Sequence, residues 1–387
     1  MQDLLAPFAA RLKERKEDDR LRCLKTVTPG ASAAVFLNGR ELVNFASNDY
    51  LGLSTHPSLK ARAISFTQRW GVGSSASRLV CGNIDAYDTI EKKLAKLKGT
   101  EAALVFASGY QANSTVLGTL SGDGSLLALD RLSHNSLLSG AQLSRCRFLR
   151  FKHNDLADLE QQLSRPALHK YTSRWVVSES IFSMDGDSAD IDALCRLSAN
   201  SGSGLYLDEA HATGVFGRHG MGLTAGRKEV TVAMGTFGKG LGSFGAYIAC
   251  SETLRDYLIN FCPGLIYSTA LPPAVLGAID AALDIIPSMD RQREYLLDMA
   301  EGLRVRLKSC GFDTGNSCSQ IIPILVGSDK LALELARHLE AAGIFAPAIR
   351  TPTVPANAAR VRISLSAHHT KEQIDHLIKT LSNWHEN

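Results

Sequence analysis

The sequence predicts an α/β protein, with a large domain on a mainly parallel seven-stranded sheet and a smaller α+β C-terminal domain. Three observations predict it. Seven short apolar runs (101–107, 125–129, 147–151, 174–178, 204–207, 231–234 and 244–250) are each bounded by Gly, Ser, Asp or Asn. Helix-period segments such as 110–120, 156–163 and 191–199 separate most of these runs, and strands alternating with helices pack as a parallel sheet covered on both faces. Beyond about Leu271 the texture changes to two long helical stretches followed by a strand–helix–strand–helix pattern.

Each element has a local reason. At the N-terminus Leu4, Leu5, Phe8 and Leu12 fall on one face of a helix, while Arg11, Lys13, Glu14, Arg15 and Lys16 break any signal-peptide apolar core. A strand-like run at 41–46 ends in the polar turn Ser47-Asn48-Asp49-Tyr50. The glycine-rich stretch WGVGSSASRLVCGN (70–83) precedes a charged amphipathic helix over 84–98. The runs 231–234 and 244–250 share only a Gly-rich connection, which suits an antiparallel strand. Helices follow over 273–286 and 290–309, then an apolar run at 321–326, a helix over 329–342, a strand over 359–365 and a closing helix over 370–383. The expected organisation is a segment 1–46 that joins the small domain, a large domain 47–284 and a small domain 285–387.

Composition narrows the function classes. The 387 residues are 45% hydrophobic and 21% charged, as in ordinary globular proteins. A net charge of +3, with Lys and Arg scattered, argues against a nucleic-acid partner. No run of about 18 apolar residues is present to span a membrane, so the cytoplasm is the expected location. The eight cysteines never fall as C-x-x-C, which predicts reduced, mostly buried thiols.

One stretch, LYLDEAHATGVFG (205–217), admits three readings. As a helicase D-E-A-H box it needs an upstream phosphate loop. The nearest resemblance, GTFGKGLG (235–242), lies downstream and has Gly240 where a magnesium-binding Ser or Thr belongs. As a metal site, Asp208 and His211 lack further ligands, and no metal is expected. In the third reading an apolar strand delivers Asp208 to the carboxyl edge of the sheet, where open α/β folds bind ligands. Glu209 and Ala210 are then only the turn leading to His211. The stretch MGTFGKGLGSFG (234–245) presents Lys239 among five glycines that let backbone approach a ligand. An amine and an acid together suit pyridoxal 5′-phosphate (PLP), the lysine as Schiff-base partner and the acid opposite the pyridinium nitrogen. The bland alternative for Lys239 is a solvated loop lysine.

The motifs SNDYLGL (47–53), FASGYQAN (106–113), SHNSL (133–137), SESIFSMDGD (178–187), DEAHATGVFG (208–217), GTFGKGLG (235–242), YSTALPP (267–273) and TPTVPANAARVRISLSAHHT (351–370) occur in this order. Together they resemble the α-oxoamine synthases, fold-type I PLP enzymes that join an amino acid to an acyl thioester with loss of CO2. The resemblance spans residues 22–370. The T-P-T-V-P and S-M-D-G-D wording resembles most the member that takes L-alanine and a pimeloyl thioester, carried on CoA or on acyl carrier protein. It implies a homodimer with active sites at the interface.

Carried over by position, the resemblance implies that Lys239 forms the Schiff base and serves as the base at Cα. Asp208 would pair with the ring nitrogen, His211 would reach the phenolic oxygen, and His134 would stack on the ring and assist catalysis. Ser108 and the N–H groups of Gly109 and Tyr110 would hold the phosphate, as a helix N-terminus can. Thr236 would join them, with Thr269 reaching across from the partner subunit and Ser183 near a cofactor oxygen. Arg362 would clamp the amino-acid carboxylate, Asn48 would position substrate, and Arg22 and Thr353 would contact the acyl group. Alternatives stay open at several positions. Arg360 lies on the same side of the strand as Arg362, Ser183 and Asn48 could merely shape turns, and His134 could be a satisfied loop histidine. Glycine-using relatives, a fold-type I aminotransferase and a non-catalytic PLP-binding regulator are the rival functions. Two departures stand out: Ser75 and Ala76 replace glycines expected in the 73–83 segment, and NIDAYDTIE (83–91) lacks the histidine usual at the head of that helix.

Overall fold

The computed structural model describes residues 2–30, 33–168 and 170–384. The chain forms two compact units. One comprises 48–183 and 187–295, and the other 1–47, 184–186 and 296–387.

In the larger unit the seven apolar runs become one sheet. Its order is Ala102–Phe106, Ala246–Cys250, Val232–Thr236, Gly204–Asp208, Ser173–Glu179, Ser125–Asp130 and Arg147–Phe151. All neighbours are parallel except Ala246–Cys250, which runs antiparallel to both of its own. The short Gly-rich connection foreshadowed that reversal, since antiparallel strands need no crossover. Six of the seven strands have no exposed position, only half-buried ones at the start of two of them. That is why they read as continuous apolar runs rather than alternating ones. One apolar cluster covers each face: Leu104, Val116, Leu129, Val177 and Tyr206 lie in one, and Leu126, Phe151, Val176, Leu205 and Leu207 in the other.

Helices enter on side-chain caps that satisfy their first N–H groups. Ser108 accepts from Gln111 at the start of Gly109–Leu120, and Asp190 from Ala193 at the start of Ile191–Asn200. His134 accepts from Ser136 at the start of Asn135–Leu143, a helix that the SHNSL motif did not advertise. Histidine seldom caps a helix, so pattern reading passed over it.

The smaller unit holds two sheets. Ile321–Gly327, Ala359–Ser364 and Ala348–Ile349 are antiparallel, and Ile344–Phe345 adds parallel to Arg40–Asn44. The N-terminal helix Gln2–Glu17 forms as its spacing predicts, but Leu4, Leu5, Phe8 and Leu12 remain exposed. The cysteine expectation needs correction: only Cys195, Cys250 and Cys262 are buried, whereas Cys23, Cys81, Cys310 and Cys318 are exposed. All eight are free thiols. Among the described residues no helix is long and apolar enough to cross a membrane.

A buried ion pair locks the loop after Gly204–Asp208. Lys98, the last residue of the helix Asp85–Lys98, is fully buried and donates to the Glu209 carboxylate and to the Met221 carbonyl, the latter at 2.7 Å. Glu209 also accepts from the Thr224 N–H at 2.9 Å and hydroxyl at 2.5 Å. Glu209 is therefore more than the turn that the sequence reading made of it. Gly222 is obligatory opposite it, because φ is +88° and a Cβ would lie 2.5 Å from the carboxylate. Burial lowers the Lys98 pKa, and the Glu209 charge opposes that shift. Removing one partner strands the other charge in the interior. Lys98→Met should cost about 3–5 kcal/mol in urea unfolding. Adding Glu209→Gln should recover part of this, since its amide oxygen still accepts from Thr224.

Candidate active site

At the carboxyl edge of the sheet a cavity of ≈ 210 Å³ is lined by Gly109, Tyr110, Asn113, His134, Ser136, Glu179, Asp208, Ala210, His211, Met234, Thr236 and Lys239. Seven sequence-predicted residues converge here: Gly109, Tyr110, His134, Asp208, His211, Thr236 and Lys239. Ser108 caps the helix beside them. Thr269 and Ser183 do not line the cavity. Thr269 is exposed and pairs with Ser77, while Ser183 is buried in a loop closed by the Ile181–Ser188 bridge.

Asp208 ends its strand at 4% exposure. Its carboxylate accepts from Asn113 Nδ2 at 2.7 Å and from the Ala210 N–H at 2.8 Å. Both donors are neutral, and no ion pair to Asp208 occurs among the described residues. The Asn113 amide is itself fixed, its oxygen accepting from the buried Tyr206 hydroxyl at 2.8 Å and its nitrogen donating to Ser136 Oγ at 2.9 Å. Alongside, Glu179 accepts from the His134 N–H at 2.5 Å. Burial, reinforced by the Asp208 charge, pushes Glu179 well above the usual carboxylate range. Glu179 therefore ionises less readily than an ordinary carboxylate.

His134 opens the helix Asn135–Leu143, with its Nδ1 accepting from the Ser136 N–H at 3.2 Å and lying 2.7 Å from Ser136 Oγ. An accepting Nδ1 places the ring proton on Nε2. Desolvation lowers the His134 pKa, the Asp208 carboxylate opposing this and the Lys239 charge adding to it. His211 is buried, with Nδ1 2.6 Å from Tyr50 Oη and Nε2 2.7 Å from Lys239 Nζ.

The glycines around Lys239 serve a purpose other than the one read from the sequence. A Cβ on Gly240 would lie 2.6 Å from the Thr213 carbonyl oxygen. Gly242, at φ +62°, passes so close to Leu53 and Ser54 that a Cβ would lie 2.3 Å from the Ser54 nitrogen. Both let the lysine loop pack on the protein's own backbone, which fixes where Nζ emerges. The Thr236 hydroxyl donates to the Gly245 carbonyl at 2.9 Å and accepts from the Gly238 N–H at 3.1 Å, shaping the same loop.

In the smaller unit Arg360 and Arg362 are both buried on the strand Ala359–Ser364. The Arg360 guanidinium donates to Asp185 Oδ1 at 2.6 Å and to the Met184 carbonyl at 3.2 Å. Arg22 and Thr353, 331 positions apart, meet through a 2.7 Å hydrogen bond to Thr353 Oγ1.

Sequence reasoning missed Asn113, Ser136, Glu179 and Tyr50, although all four lie inside quoted motifs. It also missed His153, which bridges Asp130 at 3.0 Å and Asp187 at 2.8 Å through its two ring nitrogens. Carboxylates only accept when ionised, so both nitrogens donate and the ring is an imidazolium. Against desolvation, these hydrogen bonds raise its pKa to about 10. The pair at Asp187 ties down the base of the loop that carries Ser183.

The donor set fits PLP. Among the described residues no group accepts from the N–H of Gly109 or Tyr110, so the helix start offers two donors to an anion. A buried anion and an amine face the same cavity.

The chain is similar to known proteins over most of its length. The description "Aminotransferase class I and II" matches residues 40–381. The 8-amino-7-oxononanoate synthase of Gluconacetobacter diazotrophicus is 49% identical over 367 residues, covering 93% of this chain and 92% of its own. A protein of Desulfosudis oleivorans that carries the same name provisionally is 56% identical over 375 residues, 97% of each chain. Among solved structures, a serine palmitoyltransferase of S. paucimobilis with a bound PLP–myriocin aldimine superposes with a TM-score of 0.90 at 25% identity. It covers 99% of this chain and 97% of its own.

The His153 bridge predicts a pH dependence. Its folded pKa lies above the ordinary value of about 6.5, so its stabilisation is full below that value and is lost as pH rises through about 10. Urea midpoints measured from pH 6 to 10 should therefore fall more steeply for the native chain than for His153→Gln. The gap between the two should close at the alkaline end.

Proposed function

The chain belongs to the α-oxoamine synthase family, within the class I and II aminotransferases, and we propose that it catalyses the 8-amino-7-oxononanoate synthase reaction. In that reaction L-alanine condenses with a pimeloyl thioester, CO2 and a thiol are lost, and a biotin precursor forms. The observation that carries the proposal is the cavity in which a buried carboxylate, balanced only by neutral donors, faces the Lys239 amine. Near full-length relatives named for this reaction support the reading.

PLP, when bound, supplies an electron sink for charge developing at the amino-acid Cα and for the electron pair released with CO2. The residues proposed to hold it are Lys239 covalently, Asp208 by charge, His134 against its face, His211 and Ser183 at its oxygens, and Ser108, Gly109, Tyr110 and Thr236 at its phosphate. Thr269 is exposed on its own chain, which supports a role across a homodimer.

Asp208 can favour a protonated ring nitrogen because its carboxylate is desolvated and, among the described residues, forms no ion pair. Lys239 takes the Cα proton and later returns one. His134, with its ring proton on Nε2, can donate to the thioester oxygen as negative charge develops there. Arg362 is proposed to hold the alanine carboxylate. Arg360 donates to Asp185, an ion pair it would have to give up to bind the carboxylate instead. Asn48 is proposed at the substrate, and Arg22 with Thr353 at the acyl chain. The carrier is CoA or acyl carrier protein, and a cytoplasmic location belongs to the same proposal.

The test is an assay of the purified chain with L-alanine or glycine and with pimeloyl or shorter thioesters on either carrier. Thiol and CO2 should appear in equal amounts with alanine and a pimeloyl thioester. Lys239→Ala should lose both this turnover and the visible absorbance of the bound cofactor, and a retained band would overturn the role of Lys239. Removing the proposed carboxylate clamp should be felt mainly in binding. Arg362→Ala should raise the KM for alanine at least about tenfold, as loss of a charge-assisted pair implies. An unchanged KM would move that role elsewhere.

A further inference from the structure

Asn113 lies in the FASGYQAN motif, one turn into the helix Gly109–Leu120, and is buried. Three hydrogen bonds fix its amide. An ionised carboxylate only accepts, so the amide nitrogen faces Asp208 and donates to Oδ2 at 2.7 Å. The same nitrogen donates to Ser136 Oγ at 2.9 Å, and the amide oxygen accepts from the buried Tyr206 hydroxyl at 2.8 Å. Ser136 carries the connection further, because its Oγ lies 2.7 Å from His134 Nδ1. One buried amide thus reaches both the acid and a histidine of the cavity.

We infer that Asn113 is a positioning residue that aims the Asp208 carboxylate at the ring nitrogen of PLP and, through Ser136, sets the plane of the His134 ring. The reason is torsional. The outer side-chain torsions of Asp and His have broad preferences, so rotamer choice alone does not define the plane of either group. Asp208 is anchored at Oδ1 by the Ala210 N–H at 2.8 Å, and a single bond of that kind would let the carboxylate turn about it. The Asn113 N–H on Oδ2 supplies the second point. His134 Nδ1 accepts from the Ser136 N–H at 3.2 Å, and Ser136 Oγ, held by Asn113, gives the ring a further contact. Tyr206 lies two residues before Asp208, on the same side of its strand, and its hydroxyl keeps the amide from flipping. Misplacing a catalytic group by about 1 Å can cost roughly a hundredfold in rate, so one anchor shared by two such groups bears on turnover. This inference rests on the reading of Asp208 as the partner of the ring nitrogen, and it names what aims that acid.

The test uses the full chain loaded with PLP carrying 15N at its ring nitrogen and, in a second preparation, the full chain labelled with 15N-histidine. The His134 signals are assigned by their loss in His134→Asn. Asn113→Leu keeps the volume and removes the amide, and pairing it with Tyr206→Phe leaves no buried hydroxyl stranded. In this double variant the ring-nitrogen signal should move toward its position in Asp208→Asn, and the His134 signals should shift. The kcat should fall about tenfold or more while the KM for alanine stays within about twofold, since Arg362 is proposed to hold the alanine carboxylate. Ser136→Ala cuts one arm only, so it should shift the His134 signals and leave the ring nitrogen native. Tyr206→Phe alone should move both signals by less than the double variant does. A merely structural Asn113 would lower the urea midpoint and leave both signals native, and that result overturns the inference. If Asp208→Asn itself leaves the ring nitrogen native, the reading of Asp208 fails and the inference falls with it. A moved signal in Asp208→Asn beside a native one in the Asn113 variant sinks the inference alone. Should the double variant not fold, Tyr206→Phe and Ser136→Ala decide, and native signals in both overturn it.

Discussion

Everything at this site depends on holding a charged carboxylate out of water without neutralising it. Asp208 and Glu209 are adjacent, both buried, and treated in opposite ways. Glu209 meets a lysine and two donors from Thr224, so its charge is consumed within the fold. Asp208 meets an amide and a backbone N–H, which solvate the anion but leave its field intact. Isolated buried charge is unfavourable, and fixed dipoles are the means of tolerating it where a cationic ligand is to arrive. Backbone geometry makes the division possible: the chain leaves the strand at Asp208, and Glu209 turns toward Lys98 rather than the cavity. One acid fastens the loop so that the other can stay electrostatically unspent.

The two histidines of the cavity make different contacts. His134 accepts at Nδ1 from the start of its own helix and must donate at Nε2. His211 lies with Nδ1 2.6 Å from Tyr50 Oη and Nε2 2.7 Å from Lys239 Nζ. Burial beside Asp208 raises the Glu179 pKa, which disfavours a second anion at the cavity.

Much of the fold was legible because local and long-range preferences agree. Strands buried on both faces appear as unbroken apolar runs, and helices between them declare a parallel sheet. Lys239, Asp208, His211 and His134 were legible as chemistry-bearing residues in distinctive local frames. The residues that tune them were not, because their meaning depends on partners far along the chain. Asn113 meets Asp208 across 95 positions, Tyr50 meets His211 across 161, and Lys98 meets Glu209 across 111. An asparagine inside a helix, a tyrosine in a turn and a lysine at a helix end each have an ordinary local explanation. His153 likewise reads as a loop histidine until Asp130 and Asp187 are seen on either side.

The departure at 73–83 can now be judged on geometry. Ser75 stands where glycine was expected and adopts φ +63°, the left-handed region that costs a serine roughly 1 kcal/mol. The conformation survives because its neighbours hold it. Ser74 Oγ donates to the Ala270 carbonyl at 2.6 Å, the Ala270 N–H donates to the Ala76 carbonyl at 3.0 Å, and Ser77 pairs with Thr269. Ladder contacts on both sides of residue 75 therefore impose the backbone that glycine would have adopted freely. The substitution trades freedom in the unfolded chain for constraint in the folded one. The same contacts hold Thr269 and Ala270 against the 74–77 backbone, so the strain at Ser75 is carried by the segment that positions Thr269.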